Sequence, residues 1–221
     1  MDAVIVTGAA GALGHAVVAE FRSRGRAVVA LDRPGDRLDA LGGREDVHAV
    51  AVDLSSRAAV HDAFGRIDLA CDALVGLAGG FTPGSLADTD EETLDALWRS
   101  NFGSALWTAQ AAAPLFTRGG SIVTVGSKTA VSGPAPVAHA TSKAAVVRLT
   151  SLLAEELRSQ RIRVNAVLPS VIDTPANRTW MSDDLAARAV APAAIAKVIA
   201  FLCSPDAAPI SGAAIPVYGD A

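Results

Sequence analysis

Residues 3–14 read AVIVTGAAGALG: a short β-branched run, then glycines at 8, 11 and 14 ahead of an alanine-rich segment. The run predicts a buried strand and the segment after it a helix. Gly8 suits the tight turn between them. Gly11 lets backbone approach a pyrophosphate, and Gly14 lets the helix pack on the strand. The start of such a helix presents unpaired N–H groups to an anion. A glycine-rich turn can also be purely structural, so this stretch alone leaves both readings open.

Moving outward, the same alternation repeats along the chain. Apolar runs at 3–7, 27–32, 47–53, 72–78, 121–126, 162–168 and 212–218 predict strands covered on both faces. Alanine-rich segments near 12–24, 55–65, 90–113, 136–160 and 192–203 predict helices between them. DTDEE supplies an N-cap and an acidic first turn to the third of these. The alternation predicts an α/β, doubly wound parallel sheet (a Rossmann fold) of about seven strands in a single domain over 1–221. Two irregular segments, 79–90 and 169–190, fall where ligands bind, beyond the carboxyl ends of strands.

Composition narrows the class. A chain of 221 residues suits one α/β domain. No run approaches the ~20 apolar residues of a membrane span, and the strand starting within the first residues leaves no room for a cleavable signal. A net charge of −4 argues against nucleic acid as a partner. Cys71 and Cys203 suggest neither a disulfide framework nor a metal site. Only three of the 19 basic residues are lysines, as in alanine- and arginine-rich bacterial proteins. A cytoplasmic protein acting on a small molecule is expected.

The second strand ends at Asp32, 18 residues beyond Gly14. A carboxylate at that spacing accepts hydrogen bonds from both ribose hydroxyls and repels a 2′-phosphate. NAD(H) is therefore favoured. Arg33 next door is either a solvated loop arginine or a phosphate ligand, which keeps NADP(H) possible.

The order of these motifs resembles the short-chain dehydrogenase/reductase family over essentially the whole chain. VDL matches its acidic position after the third strand, with Asp53 set toward adenine. GLAG, residues 76–79, keeps Ala78 and Gly79 of its Asn-Asn-Ala-Gly. SNFGSALWTAQ puts Asn101 at its asparagine, IVTVGS puts Ser127 at its serine, and HATSK, residues 139–143, stands for its Tyr-x-x-x-Lys. VNAVLPSVIDT keeps Pro169, replaces the usual glycine by Ser170, and places Thr174 for the carboxamide. The resemblance implies a cofactor site of Thr7, Gly8, Gly11, Leu13, Gly14, Asp32, Arg33, Asp53, Leu54, Ala78, Gly79, Lys143, Pro169, Val171, Ile172 and Thr174. It implies catalysis by Asn101, Ser127, His139 and Lys143, and a homo-oligomer, most often a tetramer. Within the family, LAGGF and LPSVIDTPANR are most similar to the quinonoid dihydropteridine reductase branch.

The histidine is the departure. In the family the tyrosine protonates substrate oxygen while lysine holds ribose and lowers the phenol pKa from about 10. Imidazole titrates near 6.5 unaided, and a nearby lysine lowers it further, which favours a base over an acid. The chain's one tyrosine, Tyr218, lies in the last strand, and the Ser127–His139 segment is slightly shorter than in the family. Three readings stay open: His139 is the acid–base group of an NAD(P)(H)-dependent oxidoreductase on a carbonyl or imine-like substrate; the site performs non-redox chemistry such as elimination or isomerisation; or the fold is a cofactor sensor, or a site whose tyrosine was replaced.

Other residues carry less. His15 suits either a phosphate or a helix surface, and His48 and His61 have no ligand-spaced partners. Trp180 and Met181 suit a substrate or a covering of core. Arg178 suits a substrate anion or a tie within its loop. Alanine-rich faces (Ala105, Ala109, Ala112; Ala144, Ala145) are expected to let helices of two subunits approach closely.

Overall fold

The computed structural model describes residues 2–220. Seven strands, β1 (Ala3–Thr7), β2 (Val28–Asp32), β3 (Val47–Ala51), β4 (Cys71–Gly76), β5 (Gly120–Val125), β6 (Ile162–Pro169) and β7 (Ala214–Val217), form one sheet in the order β3-β2-β1-β4-β5-β6-β7. Every pairing is parallel. The chain runs outward from β1 to β3, then returns across the sheet to β4. The order therefore reverses between β1 and β4, and a crevice opens at their carboxyl ends.

Among the described residues there are nine α-helices: α1 (Ala12–Ser23), α2 (Asp36–Gly42), α3 (Arg57–Gly65), α4 (Glu91–Leu97), α5 (Ser104–Ala112), α6 (Val137–Glu156), α7 (Pro175–Arg178), α8 (Asp183–Arg188) and α9 (Pro192–Leu202). On one face, α1, α2 and α9 bury Val17, Phe21, Leu38, Leu41, Ile195 and Ile199 against the sheet. On the other, α3, α5 and α6 bury Val60, Phe64, Ala112 and Ala154. The central strand β1 is covered along its whole length, whereas β3 is exposed over most of its residues and β7 alternates exposed and half-buried ones, as edge strands do.

Three expectations need correction. DRLDALG forms α2, a helix too short for its apolar period to stand out in the sequence. The helix expected over 90–113 is interrupted by a π-helical turn at Trp98–Gly103, which joins α4 to α5. Ala105, Ala109 and Ala112 face inward and are buried within the chain, so they cannot form an intersubunit face. Their small side chains let α5 lie close on the sheet instead.

At the amino edge, the Arg26 side chain is only 8% exposed. Its Nη2 and Nε donate to the backbone carbonyl of Asp2 at 2.7 and 3.0 Å, and it pairs with the Asp72 carboxylate and lies over the Phe21 ring. It thereby fastens the start of β1 to that of β4. Arg26→Leu should remove these charge-assisted bonds while keeping the apolar stem, costing about 2–3 kcal/mol. Urea denaturation should show a lower midpoint at an unchanged slope.

Candidate active site

The site grows from the turn after β1. Gly8 has a φ of +65°, and a side chain there would stand 2.8 Å from the backbone nitrogen of Ala78. The Thr7 carbonyl accepts from Leu77 N at 3.2 Å, holding the end of β1 to the segment after β4. A Cβ at Gly14 would lie 2.2 Å from the Gly8 carbonyl oxygen. The first turn of α1 has no side-chain cap and no acidic residue, so its leading N–H groups are left for an anion. Asp32 is held at the tip of β2, where one carboxylate oxygen accepts from Ala10 N at 2.9 Å and the other from Arg33 N at 2.7 Å. His15 is half-buried, and burial first, then Arg44 and Arg37, pull its pKa down.

After β3, Asp53 accepts from the backbone and hydroxyl of Ser55 at 2.9 and 2.7 Å, which holds its carboxyl below the usual range. Leu54, expected among cofactor ligands, buries its side chain in the core and leaves only backbone for such a role. Leu13 packs partly against the core of the other face.

Four elements bring the expected catalytic residues to the carboxyl edge. The π-helical turn carries Asn101, which is buried. Its Oδ1 accepts from Gly80 N at 3.0 Å, and its Nδ2 donates to the Gly80 carbonyl at 3.2 Å and to Ser142 Oγ at 3.0 Å. Ser142 in turn donates to the His139 carbonyl at 2.9 Å, linking the turn to α6. Nothing in the sequence but its place inside HATSK marks Ser142 for this task. A Cβ on Gly79 would meet Asn101 Oδ1 at 2.4 Å and Lys143 Nζ at 3.1 Å, so Asn101 and Lys143 converge on that backbone.

Lys143 projects from α6 and donates to the Val125 carbonyl at 2.9 Å. Burial lowers its pKa to about 8. One turn earlier, His139 is 9% exposed, and its Nδ1 has no hydrogen-bond partner, alone among buried side-chain polar atoms of the described residues. Burial first, then the Lys143 charge, bring its pKa down to about 4. The Phe81 ring meets it in a T-shaped contact with centroids 5.0 Å apart, a neighbour that sequence spacing does not reveal. Ser127 stands at the end of β5, but its hydroxyl shares a 2.7 Å bond with Thr129 Oγ1 and accepts from Thr129 N at 3.2 Å. A substrate oxygen at Ser127 would have to displace or share that partner.

Beyond β6, Pro169 is buried and Ser170 donates to the Tyr218 carbonyl at 2.6 Å. Tyr218 lies just past β7, with the Lys128 ammonium 5.2 Å from its ring centre. Val171 and Ile172 are tied to Val190, and Thr174 caps α7 by accepting from Asn177 N at 3.1 Å. Arg178 pairs with Asp173 through bonds of 2.5 and 2.7 Å, which identifies it as a tie within its loop. Trp180 is 58% exposed and covers no core.

These residues fit a nicotinamide dinucleotide. The α1 N-terminus suits the pyrophosphate and Asp32 the ribose hydroxyls, and His139 Nδ1 is a buried polar atom left without a hydrogen-bond partner.

The model of the enoyl-(acyl carrier protein) reductase family matches residues 8–219. The chain is 32% identical to the 3-oxoacyl-[acyl-carrier-protein] reductase FabG of Thermotoga maritima, over 97% of this chain and 95% of the relative. A Serratia marcescens short-chain dehydrogenase/reductase double mutant superposes with a TM-score of 0.90 at 29% identity, covering 99% and 97% of the two chains. A blue fluorescent protein from a metagenomic library, solved in complex with NADPH, gives 0.89 at 27% identity, with the same coverage. By its family match over residues 8–219 and its likeness to these relatives over nearly the whole chain, the chain belongs to the short-chain dehydrogenase/reductase family.

Proposed function

We propose that this chain is an NAD(H)-dependent oxidoreductase whose proton-transfer group is His139 and which interconverts a small alcohol and the matching carbonyl compound. The observation that carries this reading is the buried, unpartnered His139 Nδ1 one helical turn from Lys143. A bound nicotinamide supplies the hydride acceptor or donor. With a pKa of about 4, His139 is a neutral imidazole at pH 7, able to take a hydroxyl proton and poorly able to give one. Burial and then the Lys143 charge keep it neutral, and Lys143 would donate to ribose hydroxyls. Asn101 holds the Gly80 backbone and α6 in register. Ser127 would orient the substrate oxygen by sharing or releasing its bond to Thr129. A carbonyl or imine-like compound is the substrate in the reverse direction. A pterin substrate has only LAGGF and LPSVIDTPANR behind it and is not adopted.

The Ser127–Thr129 bond favours a second reading, in which the chain binds cofactor without redox turnover or performs elimination or isomerisation. The pH dependence separates the two. Alcohol oxidation should rise as pH passes about 4 and then level off toward neutrality, because only deprotonated His139 accepts the proton. Lys143→Met should move that limb upward, since a charge that depresses the His139 pKa is gone, but not as far as 6.5, because burial remains. His139→Gln should lower kcat by roughly 10²–10⁴-fold while NAD(H) still binds. Cofactor binding with no hydride transfer to or from any alcohol or carbonyl would establish the second reading.

Asp32 underlies the cofactor preference. Calorimetry should show NAD(H) bound more tightly than NADP(H), and Asp32→Ala should narrow the difference by removing a like-charge repulsion. Tighter NADP(H) binding in the native protein would transfer the role to Arg33.

The chain is also proposed to form a homo-oligomer, most simply a tetramer with two-fold interfaces. Leu94, Trp98 and Leu152 are exposed on α4, the π-helical turn and α6, and α4 and the turn both pack against α6. Light scattering at micromolar concentration should return a multiple of the 22.4 kDa chain mass. A monomer mass would contradict it.

A further inference from the structure

Nine large hydrophobic side chains are exposed among the described residues. Five of them, Phe81, Leu86, Val131, Val137 and Trp180, stand on the segments that leave β4, β5 and β6 at their carboxyl ends. These strands are neighbours in the sheet, so the segments emerge side by side around the site. Phe81 is 59% exposed, yet its ring is in T-shaped contact with the buried His139. Water is a poor environment for so much apolar surface gathered at one entrance.

Charge at the entrance points the same way. Segments 79–90, 128–137 and 170–182 carry three carboxylates and two cations. Arg178 is held by Asp173 in a two-bond pair, and the Lys128 ammonium lies over the Tyr218 ring. Asp88 and Asp90 accept hydrogen bonds in the loop after Phe81 and at the start of α4, where both remain ionised. A substrate carboxylate or phosphate would meet no guanidinium reserved for it and a small excess of negative charge.

We infer that the substrate is an uncharged secondary alcohol, or the matching ketone, carrying an aromatic or bulky alkyl group that packs against Phe81 and Trp180, with Phe81 determining specificity. This rests on the oxidoreductase reading above. The hydroxyl proton goes to His139, the carbinol hydrogen leaves as hydride to NAD+, and the products are the ketone and NADH. Phe81 acts beside the reacting carbon because it already touches the imidazole that takes the proton.

The test compares two alcohols of nearly equal shape on the full chain with saturating NAD+: 1-(4-ethylphenyl)ethanol and 4-(1-hydroxyethyl)benzoate. The neutral compound should have the higher kcat/KM, by about tenfold or more. Phe81→Ala should lower its kcat/KM by about tenfold, mostly through KM, as expected when apolar contact is lost. NAD+ affinity should be unchanged, and Phe81→Leu should recover much of the loss. Because Phe81 is largely exposed, the truncation should leave the circular dichroism spectrum unaltered. Equal or better oxidation of the carboxylate, or an unchanged KM in Phe81→Ala, would overturn the assignment while the oxidoreductase reading survives. If neither alcohol is oxidised, that reading is the one in trouble, and saturation-transfer NMR of 1-(4-ethylphenyl)ethanol on the NAD+-loaded protein decides the entrance separately. Binding that disappears in Phe81→Ala supports the apolar entrance; no binding, or equal binding of the carboxylate, overturns it.

Discussion

A Cβ at residue 14 would sit 2.2 Å from the Gly8 carbonyl oxygen and 2.5 Å from that of Ala9, so α1 leaves β1 at a distance only glycine permits. The same turn brings Gly8 against the backbone of Ala78 after β4. Together these approaches hold both strands of the reversal point, and hence both walls of the crevice, at fixed separation. The helix start that would receive a pyrophosphate and the Ala78–Gly79 backbone that would lie along the cofactor are consequences of one steric constraint. Larger residues would move α1 away from the sheet and the anion site with it.

The catalytic end depends on that frame through Gly79. Asn101 and Lys143 both press on its backbone, and Asn101 reaches through Ser142 to the main chain at His139. The π-helical turn supplies the necessary displacement: it interrupts the regular ladder between α4 and α5 and sets a buried asparagine against a loop carbonyl and amide. Within α6, burial acts on two cationic groups four residues apart, and both lose affinity for a proton. The lysine stays mostly charged near neutral pH, and the histidine gives up its proton first. The pair thus divides into a cation and a neutral base.

Much of this was legible in the sequence because the central strands are short, nearly continuous apolar runs punctuated by Gly and Asp, a pattern that the burial of β1 and β6 explains. The glycine spacing marked the turn, and the pattern Asn101 and Lys143 marked two side chains that converge at Gly79. What stayed hidden depends on tertiary contacts. DRLDALG has too few residues to display a period, and a π-turn has no composition of its own. The alanines of α5 point in the sequence to a contact between subunits, but packing against β4 turns them inward within the chain. The Ser127–Thr129 bond and the Phe81–His139 contact join groups whose meeting no spacing rule encodes.

The last consequence of a histidine at 139 lies in its protonation state. A phenol beside a lysine begins far above neutral pH and must be pulled down to act. An imidazole in the same place begins near neutrality, and burial first, then the Lys143 charge, move it away from the protonated form. Phe81 adds an apolar ring in T-shaped contact with the imidazole. On the proposed reading, in which His139 stands for the family's tyrosine, the group that exchanges a proton with substrate therefore rests as a neutral imidazole.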